Sequence, residues 1–178
     1  MGRTKVRAYL TEDAFWGVVV AAVETFRKEC FGLLLGHPAE DRFIVERAVV
    51  HQMASRHTSW FRPNPRAHGR MEKVLGHIGH LSVVGDFHSH PASHGEKGGY
   101  EPSPKDIERM ERGQVYVIAE VNDKEKGQAW RYNSDGTLSG TIDEFYVKLS
   151  AWKRNDRNGK TSIVPVECPF ALGFTRTR

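Results

Sequence analysis

The sequence predicts an α/β fold, a three-layer α/β/α sandwich around a mixed sheet. Short apolar runs, typical of buried strands, alternate with segments whose apolar residues recur at helical spacing. The resulting order is helix, strand, strand, helix, strand, helix, strand, strand, which packs helices against one sheet. The chain has 178 residues, of which 39% are hydrophobic and 27% charged. This suits a single domain over residues 1–178, with a C-terminal extension from about residue 136.

The first helix is predicted to begin after Thr11, a good N-cap residue that two acidic residues follow. Apolar residues at helical spacing continue to Phe26, and the basic Lys28 suits the negative end of this helix. Residues 30–36 and 43–50 follow as two strands. The first of them is apolar and bounded by glycine, so we expect it to be buried.

A second helix is predicted to begin at Asn64 and Pro65, because asparagine caps helices well and proline suits the first helical position. Its apolar period continues to about Ile78, and residues 81–87 form the third strand. Basic residues and histidines give this helix a positive face, which is most simply a solvated surface. A glycine-rich loop follows over residues 92–102.

Ser103 is predicted to open a short third helix, which Gly113 ends. Residues 115–121 form the fourth strand and residues 128–132 the fifth. In the C-terminal extension the pattern is less regular, and we predict one late strand over residues 162–167.

Composition and charge exclude several classes of protein. The net charge of +4 is too small, by itself, to indicate nucleic acid binding. The sequence has no run of 18 apolar residues, as a membrane span needs, and its N-terminal segment lacks a signal-peptide cleavage site. We therefore expect a cytoplasmic protein that binds neither nucleic acid nor membranes. Two cysteines are too few for a disulfide scaffold or an all-cysteine zinc site.

Two histidines follow the third predicted strand, in the sequence DFHSHP at 86–91. In an extended chain, residues i and i+2 point to the same side, about 6.5–7 Å apart. His88 and His90 can therefore bind one metal ion while Ser89 points away. The ordinary alternative is that each is a surface or core histidine, which is more common than a metal ligand.

The short third helix offers another ligand. With Ser103 as N-cap, Asp106 lies at the third helical position, where its carboxylate is held in the first turn. Two neutral imidazoles and one carboxylate around zinc leave a net charge of about +1, which lowers the pKa of a bound water toward about 7. The alternative is a capping box without further function, because Ser-x-x-Asp is common at helix starts.

Glu29 is the candidate proton acceptor for such a site. It lies between a helix end and a buried strand, where the backbone is well fixed. The alternative is a solvated charge at a helix end. The neighbouring Cys30 has apolar surroundings, which favour a buried thiol over a nucleophile. The sequence lacks Pro-Cys-x-x-Cys, so zinc deaminase chemistry is not predicted.

These segments together resemble the JAMM motif of the MPN/JAB-domain metalloproteases. The motif is a glutamate, then His-Ser/Thr-His-Pro, then Ser-x-x-Asp. The matching segments are Glu29 in ECFGLLLG, HSHP at 88–91 and SPKD at 103–106. The resemblance extends from about residue 11 to about residue 132.

The resemblance implies a fold and a set of residue roles. The family fold is α/β/α and similar to that of cytidine deaminases. His88, His90 and Asp106 would ligate zinc. Glu29 would act as general acid and base on the water that zinc binds, and Ser103 would help to stabilise the tetrahedral oxyanion.

The resemblance also implies a hydrolase. Members of the family cleave peptide or isopeptide bonds next to ubiquitin and ubiquitin-like modifiers, and prokaryotic relatives process sulfur-carrier proteins with β-grasp folds. We therefore expect a zinc-dependent metallopeptidase or isopeptidase whose partner is a ubiquitin-like or sulfur-carrier protein. The alternatives are a non-catalytic scaffold or binding module of the same fold, and a peptidase of the phage-tail-assembly type.

The spacing within the motif departs from the family pattern. Residues 92–102 separate HSHP from SPKD, and the family usually has a shorter loop there. The added length, with its glycines, leaves two interpretations: a loop that controls access to the site, or a distorted site. His94, Glu96 and Glu101 in this loop are most simply exposed to solvent.

Overall fold

The computed structural model describes residues 6–57, 61–92, 98–155 and 159–173. The helices in these ranges are α1 (Glu12–Glu24), α2 (Pro65–Leu75), α3 (Pro104–Arg109) and α4 (Pro169–Leu172). The strands of the first half are β1 (Arg7–Leu10), β2 (Phe31–Pro38), β3 (Arg42–Val50), β4 (Ser55–Arg56), β5 (Phe61–Arg62) and β6 (Ser82–Pro91). Those of the second half are β7 (Val115–Asn122), β8 (Arg131–Tyr132), β9 (Leu138–Ile142), β10 (Phe145–Arg154), β11 (Thr161–Val164) and β12 (Val166–Glu167). None of these helices has the length and apolar character that crossing a membrane requires.

Ten of these strands form one mixed sheet. Its order is β12-β1-β3-β2-β6-β7-β10-β9-β8, and β11 also pairs with β10. The pairs β12–β1, β1–β3 and β6–β7 are parallel, whereas β3–β2, β2–β6 and β7–β10 are antiparallel. The strands β4 and β5 form a separate ladder. Strand β6 thus lies near the middle of the sheet, with hydrogen-bonded neighbours on both sides.

The sheet curves back on itself through its C-terminal strands. Strand β11 pairs with β10, whereas β12 pairs with β1 at the far end of the strand order, and only Pro165 separates β11 from β12. The Val166 N–H also donates a hydrogen bond to Gly136 O at 2.9 Å. The two sides of the sheet therefore meet, and the sheet approaches a closed barrel.

The predicted α/β class with a mixed sheet is confirmed. Helix α1 packs on one face, where Phe15 joins the main core with Leu34 of β2. On the other face of β2, Phe31 forms a smaller cluster with Phe61, against which Met71 of α2 packs. Helices thus cover both faces, but the curvature of the sheet distinguishes this fold from a flat sandwich of three layers.

Strands β1, β9 and β10 and helix α4 were not predicted. Two predicted elements differ from the prediction for identifiable reasons. Helix α1 ends at Glu24, before the predicted end, and the chain turns at Arg27, whose φ of 79° lies in the left-handed region. The strand predicted over residues 162–167 is divided at Pro165 into β11 and β12, because proline has no N–H for a sheet ladder.

Other boundaries shift by a few residues. Helix α2 ends at Leu75 and α3 at Arg109, where the extended conformation of Met110 stops the helix. Of the strand predicted over residues 128–132, only the two residues of β8 are present. In contrast, β6 continues to Pro91, because its parallel pairing with β7 extends through the HSHP segment. The β6 strand therefore includes the two candidate ligands.

Candidate metal centre

Strand β6 presents two histidines on one face of the sheet. Pairing with β2 aligns His88 with Phe31, and pairing with β7 aligns His90 with Glu120. Side chains alternate along a strand, so His88 and His90 share a face while Ser89 points to the other, as predicted. His88 is buried and His90 is partly buried.

Helix α3 holds Asp106 in its first turn by a capping box. The Ser103 N–H donates to Asp106 Oδ2 at 2.8 Å, and the Asp106 N–H donates to Ser103 Oγ at 3.3 Å. These reciprocal bonds fix the carboxylate, which is 6% exposed, in one orientation.

The ligand atoms of these three side chains converge. His88 Nε2 lies 3.1 Å from His90 Nε2, and Asp106 Oδ2 lies 3.5 Å from each of these nitrogens. A circle through three points at these separations has a radius of about 2 Å, and zinc bonds to nitrogen and oxygen are about 2.0–2.2 Å long. One ion of that size fits among the three atoms as they stand. Among the described residues, no other group of three His, Cys, Asp or Glu residues brings its ligand atoms so close together.

The two imidazoles are held in different ways. His90 Nδ1 lies 2.8 Å from Gly99 O, so Nδ1 carries the proton and the Nε2 lone pair faces the ligand group. Burial lowers the pKa of His88, which keeps its ring neutral as a metal ligand must be. Burial also acts to lower the pKa of His90, but the hydrogen bonds to Asp106 and Gly99 outweigh it and raise this pKa. A metal therefore competes with a proton at His90, and its binding weakens at acid pH.

Asp106 uses both of its carboxylate oxygens. While Oδ2 faces the histidines, Oδ1 accepts a hydrogen bond from Arg109 Nη2 at 2.6 Å. Burial acts to raise the pKa of Asp106, but its hydrogen bonds with the two histidines outweigh this and hold the pKa well below its usual range. The Arg109 guanidinium also lies over the Phe61 ring, 4.2 Å from its centroid. Sequence reasoning missed Arg109, although its i+3 spacing from Asp106 on a helix was an available signal.

Glu29 lies near the ligand group without belonging to it. The residue is 6% exposed, and its N–H donates to His57 O at 2.8 Å. Burial raises the pKa of Glu29 to about 7, although the charge of His90 acts to lower it. The Asp106 charge adds to the increase. Glu29 therefore interacts electrostatically with two of the three ligands and changes its protonation near neutral pH.

Comparison with protein families agrees with this geometry. The family described as prokaryotic homologs of the JAB domain matches residues 12–133. The chain belongs to this family. The match includes the Glu29 segment, the two histidines and Asp106, and it ends before strand β9 of this JAB domain begins.

Two solved structures share the fold of the JAB domain described here. A protein from Desulfitobacterium hafniense is 18% identical, with a TM-score of 0.64, over 90% of this chain and 92% of that one. A protein from Salinibacter ruber is 20% identical, with a TM-score of 0.52, over 91% of this chain and 92% of that one. At these identities the similarity shows the fold alone. No curated protein matches the sequence.

In this JAB domain, Ser89 connects the Glu29 segment to the histidines. Ser89 is fully buried, and its Oγ accepts a hydrogen bond from the Cys30 N–H at 2.8 Å. The Ser89 N–H donates in turn to Cys30 O at 3.3 Å. The residue after Glu29 is thus tied to the residue between His88 and His90, which fixes the acid relative to the ligands.

Ser89→Ala is expected to lower the free energy of unfolding of the metal-free protein by about 1–3 kcal/mol, because it removes the buried acceptor of the Cys30 N–H. Denaturant titration measures this. Ser162→Ala is the control, since that hydroxyl is only partly buried and its bond to Asn155 is 3.3 Å long. In this control the free energy of unfolding is expected to fall by about 0.5 kcal/mol, the upper limit for most surface substitutions. Equal losses in the two variants would contradict the role of Ser89.

The candidate ligand atoms converge although the loop between HSHP and SPKD is long. The structure describes residues 92 and 98–102 of this loop. Glu101 is exposed, as expected, whereas His94 and Glu96 lie outside the described residues. Cys30 is buried in the main core, as expected for an unreactive thiol.

Proposed function

We propose that this JAB domain is a zinc-dependent metallopeptidase or isopeptidase. The observation that carries the proposal is the convergence of His88, His90 and Asp106 beside a separate buried acid, Glu29. These three side chains would hold the zinc ion, and three protein ligands are the number typical of catalytic zinc sites. A zinc ion held there would supply Lewis-acid polarisation of a carbonyl group and would activate a water molecule near neutral pH.

Glu29 serves as the general base and acid in this proposal. Its carboxylate is buried beside the ligand group, where it can take a proton from the attacking water and return it to the leaving nitrogen. Ser103 donates its hydroxyl hydrogen to the oxygen of the scissile carbonyl as negative charge develops there. Its Oγ already accepts the Asp106 N–H, so the hydroxyl is held in place.

The proposed substrate is the extended C-terminal tail of a ubiquitin-like or sulfur-carrier protein. An extended tail can add to a strand edge through main-chain hydrogen bonds. Strand β5 offers such an edge, because among the described strands it pairs only with β4. Its Phe61 ring lies 5.3 Å from the ring of His88, so a tail on this edge passes close to the ligand group. A cytoplasmic location remains part of this proposal.

The test combines metal analysis with a cleavage screen. Protein purified without chelators is expected to contain about one zinc per chain, consistent with one three-ligand site. It is then incubated with ubiquitin-like proteins ending in Gly-Gly, fused to a reporter through either a linear peptide or an isopeptide bond. Cleavage after Gly-Gly is expected, together with its loss on chelation and recovery on zinc addition.

Two other outcomes would each contradict the proposal and favour another function. A folded protein that holds no metal and cleaves nothing would support the scaffold or binding module. A metal-loaded protein that cleaves unrelated peptides but no Gly-Gly fusion would support a peptidase of the phage-tail-assembly type.

A further inference from the structure

The Gly99 carbonyl that accepts the His90 Nδ1 proton lies in a segment packed tightly against the sheet. A Cβ at Gly98 would lie 2.0 Å from His90 O, so this close approach to β6 requires glycine. The next residue places Gly99 O 2.8 Å from His90 Nδ1. Residues 98–99 thus contact both the backbone and the ring of one candidate ligand.

The following residue, Tyr100, is hydrogen-bonded to strand β10. Its carbonyl oxygen accepts hydrogen bonds from Ser150 Oγ at 2.5 Å and Trp152 Nε1 at 3.1 Å. Lys148 Nζ lies 3.6 Å from the centroid of the Tyr100 ring, a cation–π distance. We name Lys148, Ser150 and Trp152 the β10 clamp.

Sheet register places the β10 clamp on the same face as the metal ligands. Ile118 of β7 is aligned with His88 on one side and with Ser150 on the other. Residues in register across a sheet point to the same side, so Ser150 projects from the face that presents His88, two strands away. Tyr100 therefore reaches across β7 from the ligand strand to β10. Strand β10 lies outside the family match over residues 12–133.

We infer that the β10 clamp is a positioning element for the metal centre and acts through Tyr100 and Gly99 on His90. The Gly99 carbonyl and the Tyr100 N–H belong to one planar peptide unit. Holding Tyr100 by its own carbonyl and ring restricts the backbone torsions of this residue, and with them the directions in which Gly99 O can point. That oxygen keeps His90 in the Nδ1–H tautomer, with Nε2 open to a metal. This gives the C-terminal extension a role at the site, and it rests on the proposed zinc centre.

The test is the double variant Ser150→Ala/Trp152→Phe, which removes both donors to Tyr100 O. Zinc affinity, measured by competition with a chromogenic chelator, is expected to fall about 10- to 100-fold, as it does when outer-shell partners of ligands are lost. A second readout is the His90 tautomer in the metal-free protein, from long-range proton–nitrogen NMR spectra assigned with His90→Gln. We expect the Nδ1–H form in the wild type and a mixture of both tautomers in the variant.

The double variant Trp130→Phe/Ser162→Ala is the matched control. It replaces the same residue types, and Trp130 is a buried core residue, so the control also loses packing and stability. Its zinc affinity and His90 tautomer are expected to equal those of the wild type. Unchanged zinc affinity in the clamp variant, or an equal loss in the control, would overturn the inference. If the wild type binds no zinc, the proposed function fails, and the His90 tautomer alone then decides whether the clamp positions this ring.

Discussion

Asp106→Asn is expected to weaken zinc binding by more than about 100-fold, beyond the loss typical for an outer-shell partner. The substitution keeps the side-chain shape and an oxygen for the capping box, so helix α3 is expected to remain folded. It removes the charged oxygen that lies 3.5 Å from both histidine nitrogens. A site with two neutral imidazoles and no carboxylate keeps neither the third strong ligand nor the compensating charge. Elemental analysis and chelator competition measure the loss.

Asp41→Asn is the matched control for this variant. Like Asp106, Asp41 pairs with an arginine, and its hydrogen bond with Arg42 lowers its pKa. Unlike Asp106, its side chain is 42% exposed, in the turn between β2 and β3, and it is no member of the ligand group. The control is expected to bind zinc like the wild type. An Asp106→Asn protein that still holds one zinc per chain would refute the assignment of this carboxylate as a ligand.

The parts of the candidate site that sequence reasoning found are those with local signals. The i, i+2 spacing places His88 and His90 on one side of any extended chain, whatever strand pairs with it. Similarly, Ser103 and Asp106 form a capping box through bonds that depend only on the first turn of their own helix. These local relations needed no knowledge of the tertiary structure. Only their convergence depended on the fold.

The contacts that support the site could not be predicted from the sequence, because they join segments that are distant along the chain. Ser89 meets Cys30 across 59 residues, and Trp152 meets Tyr100 across 52. Neither pair follows from spacing, because each depends on which strands are neighbours and in which register. The contact of the Phe61 ring with Arg109 is a similar case, since β5 and α3 are distant along the chain.

The fold followed this division only in part, because strand β10 has ten residues and was not predicted. Strands β2, β3, β6 and β7 are long or apolar enough to be read from their residues, and all were predicted. Strand β1 has only four residues, and β12 has two. The curvature of the sheet depends on the pairing of these two short strands, for which the sequence offers no periodic signal. The departure from a flat sandwich was therefore not predictable from pattern alone.

Glu29→Gln is expected to lower turnover on the Gly-Gly fusions about 10²- to 10⁴-fold, the usual contribution of a general acid–base residue. Because Glu29 is not in the ligand group, the variant is expected to bind zinc like the wild type. Glutamine keeps the shape of the side chain but neither accepts nor returns a proton. Glu24→Gln is the control, since Glu24 ends α1 and is exposed. Wild-type turnover in Glu29→Gln would show that another group moves the proton.

The same variant has a second signature, in the pH dependence of stability of the metal-free protein. The pKa of Glu29 is about 7 in the folded chain, against 4.5 for the ordinary carboxyl. Between these values the folded state keeps a proton that the unfolded state releases, so wild-type stability falls as pH rises from 4.5 to 7. Glutamine does not titrate. Glu29→Gln is therefore expected to gain stability relative to the wild type across this window, by up to about 3 kcal/mol above pH 7. A stability difference that is constant from pH 4.5 to pH 8 would mean that Glu29 is not the buried acid that proton transfer at this site requires.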